Sequence, residues 1–316
     1  MSGESVGPGA PGAALEAAGP TGSIYDLGYQ GYEGPRLGRE AAIRALFWHT
    51  VRSCYGIGRG GRAKIAPFTL AALAVLPAVV GVGIAALAAQ TGASEFLEEA
   101  SPIRYATYHG AISTLVMLFC AAQAPELLGR DQRYNVLPIY FSRALARLDY
   151  ALAKLLGVVA SLLALVLTPY LVLLIGRVFV AEDPVSGLSS ELPMLPPILA
   201  QALLVASLLG GLSMAISAFT PRRAFATAAI IAAFIIPPII VAIVHELTSS
   251  DLGSFLVLLS PADVLEGSNA AFFGVRSESP AVRAADFDLP AYIAAAAAVA
   301  TIAVGLTIRR YLRIAV

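Results

Sequence analysis

Charge is what this sequence has least of. Only 13% of its 316 residues are Asp, Glu, Lys or Arg and 58% are hydrophobic, against about 25% charged in a soluble domain. A water-soluble globular chain is excluded, and the class expected is an all-α polytopic membrane protein. Cysteine is nearly absent as well. Cys54 and Cys120 fall in a helix outside the bilayer and in a membrane run, so no disulfide framework or thiolate metal site is expected. The three histidines, His49, His109 and His245, are scattered, and His245-Glu246 lacks the second histidine of HExxH. Gly211-Leu212-Ser213-Met214-Ala215 only half matches a nucleophile elbow and lies inside an apolar run. There is no GxxxxGK[ST] loop to cradle nucleotide phosphates. The chain is therefore read as a non-enzyme with no catalytic, cofactor-binding or metal-binding residue of its own.

What the sequence has in abundance is length of apolar run. Six segments, 65–90, 106–124, 154–180, 193–219, 224–244 and 290–308, each come close to the roughly 20 residues that cross a hydrocarbon core. An even number of spans puts both termini on one side. With that side cytoplasmic, all of the 21 basic residues except Arg104, Arg177, Arg276 and Arg283 fall inside. The external loops then carry 13 of the 21 acids, Glu95, Glu98, Glu99, Glu182, Asp183 and Asp263 among them. By the positive-inside rule both termini are expected to be cytoplasmic, and the membrane expected is the cell's inner (plasma) membrane.

No Asp, Glu, Lys or Arg sits near the middle of a span; Lys154 and Arg177 lie near the ends of the third, where they are expected to snorkel. That absence argues against a proton- or sodium-driven carrier, which needs a coordinating site at mid-depth. Pro77, Pro169 and Pro237-Pro238 are expected to kink the first, third and fifth spans. Ala202, Ala206 and Gly210 form a small-residue stripe on the fourth, suited to close helix contact within one subunit or between two.

Ahead of the spans, residues 1–38 form a Gly/Pro/Tyr-rich lead expected to be disordered at its start, without the basic start and apolar core of a signal peptide. Its tyrosine-bearing part, 24–38, reads either as an ordered coil over a partner or as a solvated linker. A helix is predicted over 39–55, with Ile43, Leu46, Phe47, Thr50, Val51 and Cys54 on one side. Arg44, Trp48 and Arg52 mark it as an amphipathic helix of the membrane interface, completing a unit 39–64 with the basic hinge behind it. In that hinge, Gly56 to Gly61 match GxGxxG, but no buried strand precedes them, so nucleotide binding is not expected.

Two interruptions complete the six-helix domain 65–316. The segment 125–153, with Lys154 at its end, is a charged elbow holding five basic residues. The segment 253–275 has two short apolar stretches separated by Pro261, Asp263 and Glu266. Neither stretch can span, so an external re-entrant helical hairpin is expected.

The order of an interfacial helix, six spans, an elbow after the second and short external helices before the sixth resembles the ABC-2 type permeases, membrane subunits of bacterial ABC exporters. The elbow carries the resemblance in Glu126, Asp131, Leu137, Ser142-Arg143, Arg147 and Lys154; the long N-terminal lead departs from a minimal permease. The resemblance implies separate ATPase subunits, which would hold ATP and Mg, docked on Glu126, Leu127, Arg130, Asp131, Arg133 and Tyr134. Leu127, Leu128 and Tyr134 are expected to be the packing anchors of that interface. It also implies a second permease, alike or related, membrane lipids around both, and no nucleic-acid partner. The pathway would take a lipophilic or amphiphilic cargo such as a drug, lipid or natural product, past Pro77, Ser113, Met117 and Phe234. Two other readings stay open, an ion-gradient-driven carrier and a non-transporting scaffold or sensor subunit.

Overall fold

The structure, a computed structural model, describes Gly34 and residues 37–91, 104–142, 145–220, 222–247 and 251–314. The tyrosine-bearing lead, Arg143 of the elbow and the acids Glu95, Glu98 and Glu99 lie outside the described residues, Gly34, Leu37 and Gly38 apart. Among the described residues the chain is helical throughout, with no strand. The helices are α1 (Gly38–Cys54), α2 (Arg62–Thr91), α3 (Tyr105–Ala124), α4 (Arg130–Arg133), α5 (Leu137–Phe141) and α6 (Arg147–Val180). They continue as α7 (Pro184–Glu191), α8 (Leu195–Phe219), α9 (Arg223–Leu247), α10 (Asp251–Leu259), α11 (Pro261–Phe273), α12 (Pro280–Ala285) and α13 (Leu289–Leu312). A π-helical turn, Pro125–Gly129, joins α3 to α4.

Six of these stretches are long and apolar enough to cross a membrane: α2, α3 with its extension to Arg133, α6, α7–α8, α9 and α13. Each matches an expected run, giving the chain multi-pass membrane character. Their burial separates two layers. In the apolar windows of α3, α6 and α8 the buried shares are 56%, 50% and 67%, against 17%, 17% and 22% for α2, α9 and α13. The first three form the centre and the last three surround it. The small-residue stripe belongs to that centre. Ala202 and Ala206 are fully buried, and Gly210 sits where a Cβ would come within 3.2 Å of Leu162 and Val159 on α6. The close contact is therefore made within one chain.

The third span differs from expectation at its start. It begins at Arg147, two turns before Lys154, and its 34 residues make a rod of about 50 Å, well beyond a core of about 30 Å. Helix α1 lies along the first turns of that rod. Arg39 meets Asp149, Thr50 packs on Gly157, and the Tyr55 hydroxyl donates to the Ser161 carbonyl at 2.8 Å. The buried side of α1 is Leu46, Thr50, Ser53 and Cys54, while Arg44, Trp48 and Arg52 are exposed. Burial also corrects the reading of Lys154. It does not snorkel but is 3% exposed and ion-paired.

At the far end of the bundle from the elbow, the segment expected as a hairpin is two helices, α10 and α11, meeting at Ser260. Pro261, Asp263 and Glu266 do not separate them but form the start of α11. Pro261 costs that helix nothing, because the first-turn N–H it lacks would have no helical acceptor. The Ser260 hydroxyl caps the helix, and Gly274 ends it in the left-handed conformation. Helix α12, capped by Ser279, was not expected. Polar contacts pin α11 to the bundle: Gln201 of α8 donates to the Leu265 carbonyl at 3.0 Å, and Asn269 donates to that of Ala106 at 2.6 Å.

Candidate functional site

The elbow begins with a proline in the path of a helix. Pro125 has no N–H, so the Ala121 carbonyl four residues earlier loses its donor. Thr227 of α9 replaces that donor, its hydroxyl reaching the Ala121 oxygen at 2.8 Å. The chain then takes the wide π turn, a form that recurs at functional positions, before α4. A left-handed residue, Asn135 at φ 50°, ends α4 and turns the chain into α5.

The inward side of this elbow is tied to three spans. Asp131 pairs with Lys154 of α6 at 2.8 Å and accepts the Tyr150 hydroxyl at 2.6 Å. Gln132 donates to the Ala218 carbonyl of α8 at 3.2 Å and to the Tyr311 hydroxyl of α13 at 3.1 Å. Arg147 donates to the Leu312 carbonyl at 2.9 Å. Glu126 gathers arginines from three places: Arg59 from the hinge and Arg223 from α9, each at 3.4 Å, and Arg130 at 3.9 Å. Asp149 holds Arg39 through two 2.7 Å contacts.

This geometry corrects part of the expected docking set. Leu127 and Leu128, expected to pack on a partner, are 2% and 0% exposed in the chain's own core. Asp131 is likewise occupied by Lys154. The outward tip is instead Arg133, Tyr134 and Ile139, with Tyr134 66% and Ile139 63% exposed and the Arg133 guanidinium over the Tyr134 ring.

The GxGxxG stretch is a turn between two helices, preceded by α1 and not by a strand. Gly56 (φ 67°) has no room for a side chain, because a Cβ there would strike the Ala63 carbonyl; Gly58 (φ 86°) is open but left-handed. The turn delivers Arg59 to Glu126.

A cavity of about 470 Å³ lies between α3, α8, α9 and α11. Ser113, Met117 and Phe234, expected on the cargo pathway, line it together. Pro77 does not; it is half-buried on α2. The wall is mostly apolar; its polar members are His109, Ser113 and Thr114 from α3 and Asp263 and Glu266 from α11. Glu266 accepts from Ser277 at 3.0 Å and from the Glu278 amide. Asp263 is 7% exposed and its Oδ2 has no hydrogen-bond partner. Burial pushes its carboxyl above the usual carboxylate range, opposed by a hydrogen bond with Ser260 and reinforced by the negative charge of Glu266.

Sequence reasoning found the elbow through its charge but not the side chains that fix it. Tyr150, Gln132, Thr227 and Tyr311 carry no local signature. The one usable signal is Pro125, since a proline within an apolar helix implies a donor elsewhere for the carbonyl it leaves free. No protein-family model and no curated protein sequence matches this chain.

Proposed function

We propose that this chain is the permease subunit of an ATP-driven exporter of the ABC-2 type, docking separate ATPase subunits on its elbow and forming a pathway with a second permease. One observation carries the reading: the elbow is fixed on its inner side and free at its tip. Arg133, Tyr134 and Ile139 present a cation, an aromatic ring and an aliphatic side chain to a partner, the composition that anchors interfaces. Movement of that tip reaches the helices that bound the cavity by short routes. Helix α3 continues into the elbow, and α9 is joined to it through Thr227–Ala121 and Arg223–Glu126.

In this reading the elbow faces the cytoplasm with both termini, in the plasma membrane, and the partner ATPase holds ATP and Mg. Arg44, Trp48 and Arg52 place α1 at the headgroup layer. Helices α10 and α11 form the external re-entrant hairpin that closes the far end of the cavity. The apolar wall suits a lipophilic or amphiphilic cargo.

The test is co-purification from native membranes in nanodiscs, with mass spectrometry of what stays bound. Recovery of an ATPase with a Walker A loop, lost in Tyr134→Ala/Ile139→Ser while the melting temperature holds, is the expected outcome. Recovery of the chain alone, or undiminished ATPase in the variant, overturns the docking assignment. A second reading has one observation in its favour. The buried Asp263 in the cavity is the kind of group a proton-driven carrier uses, and flux that follows a pH gradient without any ATPase would select it.

A further inference from the structure

Four Asp, Glu, Lys or Arg side chains are buried among the described residues: Asp149, Lys154, Glu191 and Asp263. Three have a counter-ion within 2.8 Å: Arg39 for Asp149, Asp131 for Lys154 and Arg177 for Glu191. Among the described residues Asp263 has no ion pair; Ser260 hydrogen-bonds its carboxyl, but its Oδ2 is buried without a hydrogen-bond partner. A buried ionisable group left in that condition is a standing cost that a fold removes unless something else uses the group. Here Asp263 is one of the residues that line the 470 Å³ cavity.

We infer that this cavity binds lipophilic cations, the positive centre held by Asp263 and the apolar body lying between Met117, Leu209, Phe234 and Ile239. The lining fixes the sign of the charge. Among the described residues Asp263 and Glu266 are its charged groups and no Lys or Arg lines it, so a phosphate or carboxylate head meets only repulsion there. Phe234, 5% exposed and on the same wall, adds a ring face that attracts a cation. His109 faces the cavity from α3 and Tyr292 of α13 lies behind the neighbouring Gly267. Neither supplies a fixed positive charge.

The inference deepens the exporter reading by naming the class of cargo, and it rests on that reading only in treating the cavity as part of the cargo's path. Its test needs no ATPase. The full chain in nanodiscs is titrated with tetraphenylphosphonium and, separately, with tetraphenylborate, ions of matched shape and opposite charge, with empty nanodiscs subtracted. Saturable binding of the cation alone is expected. Asp263→Asn weakens it by about tenfold or more, Asp263→Glu retains part of it, and Ser113→Phe, which fills the cavity from α3, abolishes it with the carboxylate intact. Equal binding of the two ions, or wild-type affinity for the cation in Asp263→Asn, overturns the inference. Should the Asn variant fail to insert, wild-type affinity in Ser113→Phe overturns it equally. Cation binding without ATPase recovery would leave this site standing and remove the exporter reading; ATPase recovery without cation binding would do the reverse.

Discussion

The two ends of the bundle treat charge in opposite ways. At the elbow end Asp131, Asp149 and Lys154 meet opposite charges within 2.8 Å, and Glu126 is ringed by three arginines. At the far end Arg177 and Glu191 pair, with the Tyr105 hydroxyl completing the set at 2.5 Å, yet on α11 the Oδ2 of Asp263 has no hydrogen-bond partner. Satisfied buried networks hold one geometry, whereas an unsatisfied group holds a cost until a partner arrives. The elbow end is therefore held in one geometry, and the far end keeps a buried carboxylate oxygen without a partner.

The largest test of that contrast is Lys154→Met. It leaves Asp131 beside the apolar core without its cation, a loss of about 3–5 kcal/mol. The melting temperature in nanodiscs should fall accordingly and return most of the way in Lys154→Met/Asp131→Leu, where no charge remains unpaired. A single variant as stable as wild type would mean that the pair holds nothing. Asp263→Asn should act in the opposite sense, raising stability at neutral pH by about 1 kcal/mol. Its direction with pH follows from the raised carboxyl. In the folded chain Asp263 keeps its proton to a higher pH than in the unfolded chain, so its contribution is most favourable below the unfolded value and is lost as pH rises through the folded one. The groups that face it are Glu266 on its own helix, His109 on α3 and Tyr292 on α13. The gain of the Asn variant should therefore grow from acid to neutral pH, and a gain independent of pH would assign the effect to packing.

These two residues also show where the sequence ceases to be legible. The spans could be read because crossing a bilayer demands about 20 apolar residues in a row, a local property. Lys154 was read as a snorkelling residue because a cation near the end of an apolar run usually reaches for water. Its partner Asp131 lies on the other side of the elbow, and only the fold brings them together. Leu127 and Leu128 failed in the same way: exposed or buried depends on which side of the π turn faces the core, and a turn of that width shifts the helical phase. Asp263 was read as part of a break because Pro261 precedes it, although proline starts a helix as readily as it ends one.

Smaller effects probe how the elbow is held. Thr227→Val keeps the shape of the side chain and removes the hydroxyl donor to the Ala121 carbonyl. A loss of about 1 kcal/mol is expected, and faster amide exchange at the end of α3 should accompany it. Unchanged exchange there would show that the π turn stands without α9.

The smallest effect separates the two kinds of charge within the elbow itself. Glu126 meets Arg59, Arg223 and Arg130 at 3.4–3.9 Å, and Arg130 and Arg223 are about half exposed. Exposed pairs of that length contribute roughly 0–1 kcal/mol each and weaken with salt. Glu126→Gln removes the common anion and leaves three guanidinium groups facing one another. The melting temperature should therefore drop at low ionic strength and recover as salt screens the arginines. Lys154→Met, whose cation is 3% exposed, should show no such recovery. If both variants respond to salt alike, the Asp131–Lys154 pair is reached by solvent, and the elbow is a hydrated surface rather than a fixed connection to the spans.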